Sequence, residues 1–120
     1  MGAAKAALES LARYFAVALG PRAITVNCVS PGFVLGQAGT LDETVISTLP
    51  PEAQQAIRDW HKGGWTPMRR LATPADVGGV VGLLCAREAG FITGQTLHVD
   101  GGASLMDAFS PLQLQGIQAV

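Results

Sequence analysis

The chain has 120 residues, 48% of them hydrophobic and 14% charged, with a formal net charge of −1. That length allows one domain at most, and the composition fits a chain that buries a core rather than one that stays disordered. A near-neutral balance without a basic run leaves no electrostatic footprint for nucleic acid, and no apolar run is long enough to span a bilayer.

The pattern predicts a helix that opens at the first residue and runs to Leu19. Leu8, Leu11, Ala12, Phe15, Ala16 and Leu19 recur at three- and four-residue steps among strong helix formers. Gly20-Pro21 stops it, with the left-handed cap expected at Gly20. Ile24 to Val29 is β-branched, short and mostly apolar, as in a strand buried in a parallel sheet. Lys5 stands near the helix start, where a cation opposes the macrodipole, so propensity does not account for it. Its plain alternative is a solvated surface lysine.

Gly32 to Thr66 is the least regular stretch. A short helix is expected over Thr40 to Thr48, and a second from Pro51 to about Lys62, ended by Gly63-Gly64. So long a connection between a strand and the next main helix is commonly a lid or binding loop. Thr73 as cap, Pro74 at the first helical position and Asp76 in the first turn predict a third helix, running to Cys85 or Ala86. Val77, Val80, Val81, Leu84 and Cys85 are expected to face inward, and Gly78, Gly79 and Gly82 point to close packing or are simply tolerated. Thr96 to Val99 reads as a central strand and Asp100-Gly101-Gly102 as a tight turn. Cys28 and Cys85 lie far apart in apolar segments and are expected as buried, reduced thiols. His61 and His98 have no partner at metal-ligand spacing.

Three strings carry a resemblance. They are Lys5-Ala-Ala-Leu-Glu9, Ile24-Thr-Val-Asn-Cys-Val-Ser-Pro-Gly32, and Ile92-Thr-Gly-Gln-Thr-Leu-His-Val-Asp-Gly-Gly102. Together with Thr66-Pro-Met-Arg-Arg70 they resemble the C-terminal half of a short-chain dehydrogenase/reductase, and most closely the bacterial enoyl-acyl-carrier-protein reductases. In that branch the active-site motif is Tyr, three residues, Met, three residues, Lys; Met1 and Lys5 match its last two members.

The resemblance implies an α/β fold: the C-terminal part of a Rossmann-like, doubly wound parallel sheet without its N-terminal dinucleotide-binding half. It implies one incomplete domain over residues 1–120, with a substrate lid at 31–66 and a C-terminal tail at 103–120. The implied activity is NAD(P)H-dependent reduction of an enoyl thioester in fatty acid synthesis, with NADH favoured. Lys5 is then the catalytic cation. Lys5, Pro31, Gly32, Phe33 and Val34 meet the cofactor, and Met1, Phe33, Leu35, Leu41 and Ile46 meet the acyl substrate. An acyl carrier protein is the implied partner, a homotetramer the implied assembly, and the cytoplasm the implied location; no metal, nucleic acid or membrane partner is expected.

Three departures stand against full activity. The only Tyr is Tyr14, off the motif; no Gly-x-Gly-x-x-Gly turn is present; and Gly36 stands where the family usually has Thr. The expectation is therefore a reductase fragment, truncated or internally started, that is inactive alone. The alternatives are a 3-oxoacyl-acyl-carrier-protein reductase type, to which Pro31-Gly32 is closer, and a non-catalytic oligomerisation module.

Overall fold

A computed structural model describes residues 2–36, 45–107 and 110. Five regular elements follow in order: α1 (Gly2–Leu19), β1 (Cys28–Pro31), α2 (Pro51–Trp60), α3 (Pro74–Leu84) and β2 (Thr96–Val99). The chain divides into two compact units, Met1–Ser30 with Gly78–Leu97, and Pro31–Val77 with His98–Val120. β1 and β2 pair in a two-stranded sheet and run parallel. The Cys28 amide donates to Gln95 O at 2.8 Å in the first unit, and the Gly32 amide to Val99 O at 3.2 Å in the second. This is the α/β class that the sequence implies, a helix–strand–helices–strand portion of a doubly wound parallel sheet.

In the first unit, α1 buries only Ala12 and Ala16. Ala16 lies where the chain turns before β2: a Cβ on Gly94, whose φ is +72°, would sit 3.4 Å from the Ala16 methyl. Leu8, Leu11 and Phe15 stay more than half exposed. The helix does not stop at a left-handed Gly20. Gly20–Arg22 forms a 3-10 turn and Ala23 takes the left-handed position at φ 56°. Pro21, with φ held near −65°, tightens the turn and moves the reversal past itself.

The first strand also begins later than Ile24. Before Cys28, side chains tie the backbone: the Val26 amide donates to Thr93 Oγ1, Asn27 Nδ2 to Ile92 O, and the Gln95 amide to Asn27 Oδ1. A ladder needs a partner strand, and the partner here is only Thr96–Val99. The expected inward face of α3 is corrected too, since Val81 and Cys85 are exposed, and so is the expectation of two buried thiols, since Cys85 is exposed and Cys28 only half-buried. Nothing lies within 4 Å of a Cβ placed on Gly78, Gly79 or Gly82, so close packing does not explain them among the described residues.

In the second unit, Leu71 forms a small core with Leu35 and Ile57. Of the helix expected over Thr40 to Thr48, residues 40–44 lie outside the described set and Val45–Thr48 is a 3-10 turn. α2 continues into one wide turn, His61–Trp65, that ends on Gly64 at φ 114°. Glycine alone adopts that conformation without strain, which is why Gly63-Gly64 stops the helix. Trp60 is 52% exposed and stacks on Trp65 at 4.3 Å between ring centroids.

The start of α3 is as predicted. Thr73 Oγ1 accepts from the Asp76 amide at 3.3 Å, and Asp76 Oδ2 accepts from the Thr73 amide at 2.7 Å. This reciprocal cap satisfies two amides that a helix start leaves open. Thr73→Ala should lower stability by about 1 kcal/mol, read as a shift in denaturant midpoint with unchanged slope. An unchanged midpoint would remove the cap from the account. Asp76 also receives both ends of the Arg70 guanidinium at 2.7 Å each. That pairing with Arg70, and then the Thr73 bonds, hold its carboxyl well below the usual carboxylate range. The stability this carboxylate contributes is therefore fully present above about pH 4, the ordinary range of an unfolded Asp, and is lost as pH falls from there toward the depressed folded value.

Candidate functional site

The segment leaving β1 carries five of the expected site residues, and the second unit shows how they are held. Pro31 ends the strand, exposed. Gly32 passes close over the turn that follows β2, where a Cβ would meet Asp100 Cβ at 2.9 Å and Asp100 Cα at 3.1 Å. Only glycine lets the two segments approach this far, so the exit path of the chain is set here.

Val34 forms a parallel bridge with Ala72. Its bonds are the Ala72 amide to Phe33 O at 3.0 Å and the Leu35 amide to Ala72 O at 2.8 Å. A parallel bridge uses the carbonyl before and the amide after the bridged residue. The N–H and C=O of Val34 itself therefore face the opposite edge, and neither has a partner among the described residues. One donor beside one acceptor, on a strand edge, is the complement of a planar primary carboxamide. The residues present thus fit the amide end of a nicotinamide.

Phe33 and Leu35 are held from the α2 side. The Phe33 ring stands edge-on to His61, centroids 5.2 Å apart at 74°. His61 is buried, its Nδ1 bonded to Thr66 Oγ1. Its Nε2 is buried without a protein partner among the described residues. The tautomer that carries the proton on Nδ1 leaves only a lone pair unmatched, the cheaper of the two arrangements. Burial lowers the imidazole pKa from its ordinary 6.5.

Thr66 in turn packs on Gly101, where a Cβ would lie 2.7 Å from the Thr66 methyl. Asp100 closes that turn by accepting the Gly102 amide at 2.9 Å and the Ser104 amide at 2.8 Å. Hydrogen bonding to Ser104, ahead of that to Gly102, holds its carboxyl below the ordinary value. Gly32, Phe33, His61, Thr66, Gly101 and Asp100 thus form a closed circuit of contacts.

Sequence reasoning missed His61 and Thr66, because it searched for metal-ligand spacing. The legible signal was a His and a Thr flanking a Gly-Gly stop, a spacing that folds the two back on one turn.

Lys5 is exposed on α1, in the first unit. Met1 and Leu41 lie outside the described residues, and so does the side chain of Ile46, whose backbone belongs to the Val45–Thr48 turn. Gly36 is buried directly after the Val34 segment. No group of three His, Cys, Asp or Glu among the described residues could hold a metal ion.

An enoyl-(acyl carrier protein) reductase family model matches residues 1–104, and the chain belongs to that family. Among relatives, the enoyl-acyl-carrier-protein reductase (NADH) FabI of Escherichia coli strain K12 is 38% identical over 120 residues, covering 96% of this chain. The 3-oxoacyl-acyl-carrier-protein reductase FabG of Pseudomonas aeruginosa is 38% identical over 100 residues, covering 83% of this chain. The crystal structure of the acetoin dehydrogenase YohF of Salmonella typhimurium superposes with a TM-score of 0.64 at 28% identity, over 88% of this chain and 35% of that one. The chain spans about 40% of the length of the FabI relative and 36% of the FabG relative.

Proposed function

We propose that this chain is the nicotinamide- and acyl-facing part of an NAD(P)H-dependent oxidoreductase that reduces an enoyl thioester carried on an acyl carrier protein, with NADH as the reductant. The observation that carries the reading is the N–H and C=O of Val34 on a strand edge, without a partner among the described residues, in a chain of the enoyl reductase family. The cofactor, when bound, supplies the hydride.

The rest of the chemistry belongs to residues of the chain. Val34 N–H donates to the carboxamide oxygen and Val34 C=O accepts from its NH2, which fixes the ring's orientation. Lys5 holds a ribose hydroxyl. Its ammonium also stabilises the substrate oxygen as negative charge develops there. Pro31 and Gly32 set the path of the strip; Phe33, Leu35, Leu41, Ile46 and Met1 line the acyl chain and exclude water.

Within one domain over 1–120, residues 31–66 are the lid and 103–120 the tail. The assembly is a homo-oligomer in the cytoplasm. No helix among the described residues is long and apolar enough to cross a membrane.

The motif's Tyr has no counterpart among these 120 residues, so the chain alone is expected to leave crotonyl thioester and NADH unconsumed. Steady turnover would overturn that. Binding is tested separately, by saturation-transfer NMR from the protein to the nicotinamide protons of NADH. The signal should appear, and Val34→Pro should abolish it, because it removes the outward-facing N–H while the two bridge bonds use Phe33 O and the Leu35 amide. A signal unchanged in that variant would sink the assignment.

A second reading, 3-oxoacyl reduction, is favoured by the FabG relative's equal identity. Against it stands Met1 four residues before Lys5, where that branch places its Tyr.

A further inference from the structure

The second unit has a cavity of about 230 Å³ lined by Leu35, Arg58, Lys62, Arg70, Leu71 and Thr73. Its floor is apolar, made by Leu35 and Leu71 of the small core. Its rim holds three cations. Arg70 is neutralised, since both its outer nitrogens bond Asp76 at 2.7 Å.

Arg58 and Lys62 are not. Neither side chain makes an ion pair or hydrogen bond among the described residues. They stand four residues apart on helical backbone that continues through His61. Like charges at that spacing repel and cost a helix stability. Arg58 is also half-buried, and no carboxylate among the described residues pairs with it. Two cations without a carboxylate partner among the described residues, above a leucine floor, form an arrangement that folding alone does not reward, and an anion with an apolar arm would relieve the repulsion and cover the leucines.

We propose that this cavity binds the anionic end of a short alkyl chain, a carboxylate or a phosphate monoester held by Arg58 and Lys62 with its hydrocarbon on Leu35 and Leu71. At about 30 Å³ per non-hydrogen atom, the space holds roughly eight such atoms, the size of a six-carbon acid. The site is independent of the nicotinamide strip: it asks for no cofactor, and of the residues given to the acyl chain above it shares only Leu35.

The test is a titration of the 120-residue chain, followed by tryptophan fluorescence and calorimetry, with hexanoate, hexyl phosphate, 1-hexanol and inorganic phosphate. Hexanoate or hexyl phosphate, or both, should saturate the protein with a Kd of roughly 1 mM, the affinity about eight non-hydrogen atoms support. Which of the two binds identifies the head group. Hexanol and inorganic phosphate, each lacking one half of the ligand, should bind at least about tenfold more weakly. Lys62→Gln, an exposed position, should weaken binding about tenfold while leaving the circular dichroism unchanged, and Arg58→Gln should do the same.

The proposal is overturned if neither amphiphile saturates, if inorganic phosphate or hexanol binds as well as they do, or if both variants bind like the parent. Failure of the nicotinamide signal would leave this result untouched, because the two measurements use different probes and different residues.

Discussion

Gly101→Ala should be the most damaging single methyl that can be added to the second unit. Gly101 has φ +62°, and a Cβ there would lie 2.7 Å from the Thr66 methyl and 3.3 Å from Met68 Cβ. Two costs add. The left-handed backbone costs a side-chain-bearing residue about 1–2 kcal/mol, and overpacking at that distance costs about 1–3 kcal/mol more. A loss of roughly 2–5 kcal/mol should lower the melting temperature by about 10–25 °C.

The control is Gly78→Ala. Gly78 sits in α3 with nothing within 4 Å of an added Cβ. There the methyl should raise stability by about 0.5–1 kcal/mol through helix propensity. The same chemical change thus has opposite signs at two glycines, read by parallel thermal melts. Equal melting temperatures for the two variants would mean that the turn after β2 is not packed on Thr66.

His61 gives the second large effect. His61→Ala would leave the Thr66 hydroxyl unpaired in a buried site and empty the space against Phe33. The two losses together should cost about 2–4 kcal/mol.

The intact residue carries a pH dependence of definite sign. Burial depresses the imidazole pKa below 6.5 in the folded chain. Above pH 6.5 the ring is neutral in both folded and unfolded chains, and the contribution is fully present. As pH falls from 6.5 toward the folded pKa, the unfolded chain takes up a proton that the folded chain resists, and stability is lost. Denaturant midpoints from pH 7.5 to 5 should fall in the parent. In His61→Gln, which keeps a hydrogen-bonding side chain but does not titrate, the fall should be shallower. Parallel slopes would remove His61 as its source. Phe33 rests on the same ring, so acid should also loosen the strip that holds the proposed nicotinamide contact.

Much of this was legible before any coordinates. The cap at Thr73, Pro74 and Asp76 was readable because capping is local: the donor, the acceptor and the turn lie within four residues. The second strand was read at its observed bounds because Asp100-Gly101-Gly102 ends it with backbone angles that few other residues adopt. Family membership was legible for a related reason. Val-Ser-Pro-Gly and His-Val-Asp-Gly-Gly occupy the close approach of Gly32 to Asp100, where a side chain would not fit.

The misses share a cause of the other kind. Periodicity marked Val81 and Cys85 as inward, but spacing defines a face and not what covers it; in this chain both are exposed. The first strand was drawn from Ile24 because β-branching continues there, yet strand pairing ends where the partner's residues end.

What the sequence by itself determined is local and covalent: the spans of the three longer helices to within a residue or two, the cap, the glycine turns, the parallel-strand character and the family. What only the tertiary structure decided is which groups were left without partners. Among the described residues, the outward amide and carbonyl of Val34, the Nε2 of His61 and the charges of Arg58 and Lys62 have no partner, which is a property of three-dimensional neighbours. A hydrogen bond or an ion pair depends on distances across many residues of chain, and residue order alone does not state those distances.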